Sequence, residues 1–160
     1  MIVIEKSGDR ERRAVVVALE HSEALFGWKP EAETSLNRWS VDMAKISAVV
    51  LAGTEAHSDL GRVLNALELV KEAAGAGDEV ELVFDGAGVQ WVAELSDPDH
   101  DLHRVYRAVE EHIGGACEFC ANAFEVKEQV RETGIPLLSE FEGHPSLRQR
   151  VADGFEVVTF

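Results

Sequence analysis

Residues 46–86, ISAVVLAGTEAHSDLGRVLNALELVKEAAGAGDEVELVFDG, give the clearest indication of fold class in this 160-residue chain. This stretch begins with a short apolar run at 46–52 and ends with a second one at 80–86. Between them, five apolar residues fall on one helical face: Leu60, Val63, Leu64, Leu67 and Val70. Two buried strands joined by a helix of this period indicate a βαβ unit with parallel strands.

Residues at the ends of the helices predict their boundaries. Ser58 or Asp59 can cap the first helix at its N-terminus, and the segment GAGD at 75–78 ends it. A second helix is predicted to open with Asp97 as the N-cap and Pro98 at the first helical position, where proline is favoured.

The rest of the chain repeats the alternation of strand and helix. Three further strands are predicted at 115–119, in IPLL at 135–138, and in FEVVTF at 155–160. Two further helices are predicted, at about 121–131 and between Pro145 and Gly154. The expected fold class is therefore α/β, a five-stranded and mainly parallel sheet flanked by helices, flavodoxin-like or Rossmann-like.

The first 42 residues fit this rhythm poorly. Residues 13–28 have a helical pattern, but the segment that follows them is polar and rich in turn-forming residues. We therefore expect 1–42 to be an N-terminal extension, poorly ordered or helical, and 43–160 to be the α/β domain.

The charge of the chain limits its partners. Thirty acidic residues against fifteen basic ones give a formal net charge of -15, which repels the phosphates of nucleic acids and argues against DNA or RNA binding. No run of apolar residues is long enough to span a membrane, and the N-terminal charges follow the short apolar run instead of preceding it. We expect a cytoplasmic protein without a membrane partner.

The acidic excess also suggests a halophilic protein, because dense carboxylates stay hydrated at high salt and salt screens their mutual repulsion. We expect the melting temperature, measured by scanning calorimetry, to rise between low and molar salt. A melting temperature that does not rise would contradict this hypothesis.

The stretch GGACEFCANAF, residues 114–124, contains both cysteines of the chain, Cys117 and Cys120. They lie where a predicted strand passes into a helix, and the free N–H groups of a helix start favour a thiolate. The carboxylate of Glu118 would raise the thiol pKa again. The sequence therefore predicts an exposed and moderately activated thiol.

The C-x-x-C spacing leaves four interpretations open. A zinc site would need more ligands than this pair, from another subunit or from histidines, of which the candidates are His100, His103, His112 and His144. A thioredoxin-like dithiol fits a helix start but not this place in the strand order. The remaining two are a pair of buried small side chains and a persulfide carrier.

Three stretches resemble the DsrE-like family, which includes sulfur-relay subunits of the DsrE/DsrF/DsrH and TusB/TusC/TusD type. They are residues 46–91, 115–130 and 134–160, and the resemblance covers about residues 44–160. Its most specific part is the order of a strand, the GTEAHSDLGR helix, FDG, and a cysteine motif before a helix.

The resemblance implies an α/β domain that assembles as homo- or hetero-oligomers, trimers or hexamers, and exchanges sulfur with donor and acceptor proteins. It also implies a persulfide on a cysteine of the third loop, where Cys117 matches the carrier position and Cys120 the second cysteine of many members. The chain departs from the common motif at Glu118, which replaces a glycine, and at Phe124 and Glu125, which replace an Arg-Gly pair.

Polar residues after the strands form a predicted binding rim: Gly53, Thr54, His57, Asp85 and His144. The loop after the first strand has neither a G-x-G-x-x-G nor a P-loop pattern, and a G-x-S-x-G hydrolase motif is absent from the sequence. We expect no cofactor and no metal.

The preferred hypothesis from sequence is a carrier, transfer or sensing protein that handles sulfur through Cys117, with Cys120 as the resolving thiol and a possible sulfurtransferase activity. The alternative is a non-catalytic subunit or small-molecule binding protein in which the cysteines are structural.

Overall fold

The computed structural model describes residues 43–160, so the predicted extension at 1–42 lies outside the described residues. The strands are β1 (Lys45–Val50), β2 (Glu79–Phe84), β3 (Ile113–Cys117), β4 (Leu137–Leu138) and β5 (Glu156–Thr159). The helices are α1 (His57–Ala76), α2 (Trp91–Ser96), α3 (His103–Ala108), α4 (Glu118–Ala123), α5 (Lys127–Thr133) and α6 (Leu147–Ala152).

The five strands form one sheet in the order β4-β3-β2-β1-β5, and every pair is parallel. This confirms the predicted α/β class and the parallel sheet. Phe84 at the end of β2 pairs with Val50 of β1 on one side and with Ala116 of β3 on the other. The carboxyl ends of the central strands therefore lie side by side, at the edge where α/β proteins place their sites.

α1 covers one face of the sheet, and the strand residues that point to this face are apolar. Ala48, Val50, Leu82 and Phe84 are buried there, in one cluster with the α1 residues Val63, Ala66, Leu67 and Val70. Each large apolar side chain buried in this way contributes about 1.5–3 kcal/mol through removal of apolar surface from water. This packing makes the central strands a firm base for the loops at their ends.

The opposite face holds a partly buried ion pair. Arg150 of α6 donates from Nε to Glu81 Oε1 at 2.6 Å, and the hydroxyl of Ser47 donates to the same oxygen at 2.7 Å. Glu81 neighbours the inward-facing Leu82 in β2, so its side chain points away from the α1 face. The last helix therefore lies on the other side of the sheet from α1.

Because the connections use both faces of the sheet, the fold has a topological switch point between β3 and β4. Right-handed crossovers place the connections from β1 to β4 on one face and the connection from β4 to β5 on the other. The chain consequently leaves the neighbouring strands β3 and β4 toward opposite faces. In open α/β sheets such a crevice is where ligands bind.

The predicted start of the first helix is wrong in detail, whereas its end is confirmed. Ala56 is the N-cap of α1, without a side-chain cap, and Ser58 and Asp59 lie inside the first turn. Gly77 closes the helix in the left-handed conformation, with φ of 89°, a value that glycine adopts without steric cost.

The predicted helix opening at Asp97 and Pro98 is also wrong. α2 ends at Ser96, and the Asp97 carboxylate accepts a hydrogen bond from the Asp99 N–H at 2.9 Å, a local turn that competes with a helix start. The next helix, α3, begins only at His103.

The single helix predicted at 121–131 is two helices, α4 and α5. Glu125 lies between them with φ of 58°, which breaks the helical path, and Gly134 ends α5 as predicted with φ of 80°. α4 begins directly after β3, so Cys117 is both the last strand residue and the N-cap of the helix. None of the helices within residues 43–160 is long and apolar enough to cross a membrane.

Candidate functional site

Two thiols, an imidazole and a carboxylate meet at the carboxyl edge of the sheet. The Sγ atoms of Cys117 and Cys120, a ring nitrogen of His144 and a carboxylate oxygen of Asp85 all lie within 4.8 Å of one another. We call these four residues the thiol cluster. It lies at the end of β3, beside the switch point between β3 and β4.

Strand pairing brings three members of the cluster together. Asp85 follows β2 and Cys117 ends β3, and the residues before them, Phe84 and Ala116, are paired across the two strands. Cys120 comes three residues after Cys117, in the first turn of α4, so its side chain returns to the same side. The sheet register and the helical repeat therefore fix this part of the site.

The fourth member, His144, comes from the loop between β4 and α6. Phe141 and His144 pair through mutual backbone hydrogen bonds of 3.0 and 2.8 Å, which close a tight turn. Gly143 in that turn has φ of 89°, a conformation that favours glycine. The ring of Phe119 packs on the imidazole, with 4.6 Å between the ring centroids, and this contact holds the ring against the thiols.

Short polar contacts connect the cluster. Nδ1 of His144 lies 3.3 Å from Cys117 Sγ, and the Cys120 thiol donates to Asp85 Oδ1 at 3.3 Å. Cys117 Sγ also accepts the backbone N–H of Cys120 at 3.4 Å, and Asp85 Oδ1 accepts the N–H of Gly86 at 2.8 Å. The sulfur atoms are therefore in polar surroundings, although they lie below the surface.

The predicted exposure of Cys117 is wrong. Its side chain is 0% exposed, and Cys120 is 9% exposed, because both belong to the main core cluster. Burial raises the pKa of the Cys117 thiol strongly, and the nearby Asp85 adds to the rise while the Cys120 N–H opposes it. Burial likewise raises the pKa of Cys120. Both shifts favour the protonated thiol, which is the opposite of the activation that the helix start was expected to give.

The carboxylate beside the thiols is Asp85, whereas the sequence indicated Glu118. Glu118 turns outward and accepts a hydrogen bond from Lys127 Nζ at 2.8 Å, a contact that lowers the pKa of its carboxyl group. Glu118 therefore pairs with Lys127 and is not a member of the thiol cluster.

A cavity of about 260 Å³ opens beside the cluster. Asp85 and His144 belong to its wall, which continues along the start of α6 through Pro145 and Arg148. A larger cavity of about 450 Å³ lies between α2, α3 and α5, and none of the four residues of the thiol cluster lines it. The smaller cavity is the one adjacent to the reactive groups, and it has room for a small molecule.

The structure divides the predicted rim in two. Asp85 and His144 lie with the cysteines, whereas His57 is not a member of the thiol cluster, and Gly53 and Thr54 belong to the loop between β1 and α1. The Gly53 carbonyl accepts a hydrogen bond from the Trp91 indole at 3.0 Å, which ties this loop to the buried start of α2. His57 is exposed at the first position of α1.

Of the four histidines considered as zinc ligands, only His144 reaches the cysteines. His103 Nδ1 lies 2.8 Å from the Leu95 carbonyl oxygen, and His112 Nε2 lies 3.7 Å from a Glu111 oxygen. The sequence analysis named all four members of the cluster but did not predict that they lie in contact. Their places in the chain could have indicated it: Asp85 follows β2, Cys117 ends the neighbouring β3, and His144 follows β4, the next strand along the chain.

Fold and site together define an α/β protein with a buried cluster of two thiols, an imidazole and a carboxylate. The chain is 28% identical over 96 residues to an uncharacterized protein of Methanocaldococcus jannaschii, a match that covers 60% of this chain and 78% of the relative. It is similar in fold to a conserved protein of unknown function from Bacteroides thetaiotaomicron, with a TM-score of 0.51, 17% identity, and coverage of 71% of this chain and 94% of the other. No protein-family model matches the chain.

Proposed function

We propose that this chain is a DsrE-like sulfur carrier in which Cys117 accepts a sulfane sulfur as a persulfide. One observation carries the proposal: Cys117 Sγ lies 3.3 Å from His144 Nδ1, and a second thiol lies within 4.8 Å. A buried thiol is a weak nucleophile, so it needs a base within hydrogen-bonding reach, and the imidazole has that position.

Loading is a thiol–persulfide exchange. As Cys117 Sγ attacks the outer sulfur of a donor persulfide, R–S–SH, its proton passes to His144. A new S–S bond forms to Cys117 while the S–S bond of the donor breaks. The donor leaves as a thiolate and takes a proton to become R–SH. No external oxidant is needed, because the sulfane sulfur keeps its oxidation state in the transfer.

Unloading has two routes. An acceptor thiol can attack the outer sulfur, which regenerates the Cys117 thiol and leaves a persulfide on the acceptor. Alternatively, Cys120 attacks the inner sulfur, which forms a Cys117–Cys120 disulfide and releases hydrogen sulfide. A dithiol reductant then restores the two thiols. The second route makes Cys120 the resolving cysteine.

Access to the buried sulfur sets a limit on the donor. The cavity of about 260 Å³ leads to Asp85 and His144, so a donor must present its sulfur through this opening or displace the turn at 141–144. Phe141 and Phe119 border the same turn and are 64% and 55% exposed. These two aromatic rings offer an apolar surface for a donor protein, an acceptor protein or another subunit of a trimer or hexamer.

We propose that this exchange of sulfur with donor and acceptor takes place in the cytoplasm.

The proposal predicts different fates for two single variants. After incubation with a small persulfide donor, we expect intact-mass spectrometry to find one added sulfur atom on the wild type and none on Cys117→Ser. Cys120→Ser should gain the sulfur and keep it longer, because the resolving thiol is missing. The same sulfur addition on Cys117→Ser as on the wild type would overturn the assignment.

The burial of both thiols supports a second candidate function. In this alternative the cysteines are core residues, and the cavity beside His144 binds a small molecule or a partner. A maleimide distinguishes the two under native conditions. Labelling of Cys117 that is complete in hours and lost in Cys117→Ser supports the carrier, whereas labelling that requires unfolding supports the binding protein.

A further inference from the structure

We propose that the thiol cluster is a zinc site in which Cys117, Cys120, His144 and Asp85 are the four ligands. The inference departs from the expectation of no metal that the sequence alone gave. It concerns metal binding, so it holds whether or not Cys117 also carries sulfur.

The donor set matches zinc in number and type. Zinc in proteins takes cysteine sulfur, histidine nitrogen and carboxylate oxygen, usually four ligands in a tetrahedron. Two soft sulfur ligands disfavour magnesium and calcium, which prefer oxygen. The cluster supplies two sulfur atoms, one nitrogen and one oxygen, which completes a tetrahedron without a fifth protein group.

The spacing of the atoms is close to that of a metal-bound set. With zinc bonds of about 2.3 Å to sulfur and 2.0–2.1 Å to nitrogen or oxygen, neighbouring ligand atoms in a tetrahedron are about 3.3–3.8 Å apart. Two contacts of the cluster already have this length, Cys117 Sγ to His144 Nδ1 and Cys120 Sγ to Asp85 Oδ1, both 3.3 Å. The widest separation, at most 4.8 Å, closes with a contraction of about 1 Å.

The ligands come from three separate segments, and each segment is held by its own contacts. Asp85 Oδ1 accepts the N–H of Gly86, and Phe119 packs on the ring of His144. Contacts of this kind orient metal ligands and strengthen binding. A bound ion would therefore join the ends of β2 and β3 to the loop before α6 with little rearrangement.

Hydrogen bonding alone would also explain two contacts of 3.3 Å. It would not require all four groups to converge, since Cys117 with His144 and Cys120 with Asp85 could form two separate pairs. The sheet register accounts for Asp85 and the two cysteines, but His144 comes from a separate loop, and its addition gives four ligand atoms that a shared cation would use together. Bound zinc would occupy the thiol that the persulfide uses, so metal and sulfur would exclude each other.

Cobalt substitution tests the site without reference to sulfur transfer. We would titrate the reduced, metal-free full chain with Co²⁺ and record the visible absorption, then displace the cobalt with Zn²⁺ and measure zinc stoichiometry by elemental analysis. We expect one equivalent of metal, the intense visible bands of tetrahedral cobalt, and sulfur-to-cobalt charge transfer in the near ultraviolet.

Variants assign the ligands. Cys117→Ser, Cys120→Ala and His144→Ala should each weaken zinc binding more than about 100-fold, beyond the 10- to 100-fold expected for groups outside the ligand shell. The exposed His57→Ala is the matched control and should bind as the wild type does. Asp85→Asn covers the case in which the cysteine variants do not fold. It keeps the shape of the Asp85 side chain, and it should still change the cobalt spectrum. Octahedral cobalt bands, or unchanged affinity in a folded Asp85→Asn and in Cys120→Ala, would overturn the proposal.

Discussion

Replacing His144 by alanine is expected to slow persulfide formation at Cys117 by about 10²- to 10⁴-fold, the contribution of a positioned general base. The physical reason is the burial of Cys117, which keeps the sulfur protonated at neutral pH and leaves its activation to the imidazole at 3.3 Å. The rate would be followed by quenching the reaction at intervals and measuring the fraction of chains with one added sulfur. A chelator in the buffer would keep the protein free of metal.

The control for this experiment is His57→Ala, because His57 is an exposed histidine outside the thiol cluster. We expect its rate to equal that of the wild type. Circular dichroism and a thermal melt would establish that His144→Ala is folded. A folded His144→Ala that takes up sulfur at the wild-type rate would remove the imidazole from the mechanism.

Replacing Gly88 by alanine is expected to destabilise the domain by about 3 kcal/mol, the upper end of the usual range for overpacking in a close-packed interior. A Cβ atom at this position would lie 2.2 Å from the backbone oxygen of Val50, well inside van der Waals contact. Backbone cannot give way as a flexible side chain does. The free energy of unfolding would be measured by denaturant titration monitored by circular dichroism.

The same substitution should disturb the candidate site. The Val50 oxygen that a Cβ would strike also accepts the N–H of Asp85 at 2.9 Å, and the Asp85 carbonyl accepts the N–H of Gly88 at 2.9 Å. Displacement of this loop would therefore move Asp85 away from Cys120. We expect slower reaction of the thiols with a persulfide donor even in the fraction of Gly88→Ala that remains folded.

Gly61→Ala is the matched control for Gly88→Ala. Gly61 lies in α1, and a Cβ there would meet nothing within 4 Å. Alanine in an open helical position is expected to stabilise the domain by about 0.8–1.0 kcal/mol. Equal effects of the two substitutions would show that the approach of Gly88 to β1 has no energetic role.

The parallel sheet was predictable because most of its strands are marked by a short apolar run between turns. β3 was predicted at 115–119 but spans Ile113–Cys117, because α4 begins at Glu118. The runs that became β1, β2 and β5 were placed nearly residue by residue, and Gly77 and Gly134 end their helices as predicted. The errors fall where local hydrogen bonds compete with helix formation. Asp97 accepts from the Asp99 N–H and so forms a turn, which sequence rules cannot distinguish from a helix cap.

The site was only partly predictable, because exposure depends on packing that is distant in sequence. Cys117 was expected at the surface, but it is buried, and the turn at 141–144 lies against it, with the Gly143 oxygen 3.8 Å and His144 Nδ1 3.3 Å from its Sγ. Asp85 and His144 were assigned to a rim with Gly53, Thr54 and His57, which follow a different strand. The strand order, with β3 between β2 and β4, was needed to see that Asp85 and His144 follow the two neighbours of the strand that Cys117 ends.

The central claim, that Cys117 is the residue that accepts sulfur, is tested most directly by locating the added atom. The folded, reduced wild type would be treated with a persulfide donor, capped with an alkylating reagent, digested, and analysed by tandem mass spectrometry of the peptide that contains residues 117 and 120. We expect an added sulfur on Cys117 in the folded protein with Cys120 unmodified, or, in chains that have already released hydrogen sulfide, a Cys117–Cys120 disulfide without the added sulfur. A persulfide found only on Cys120, or found on Cys117 only after unfolding, would contradict it.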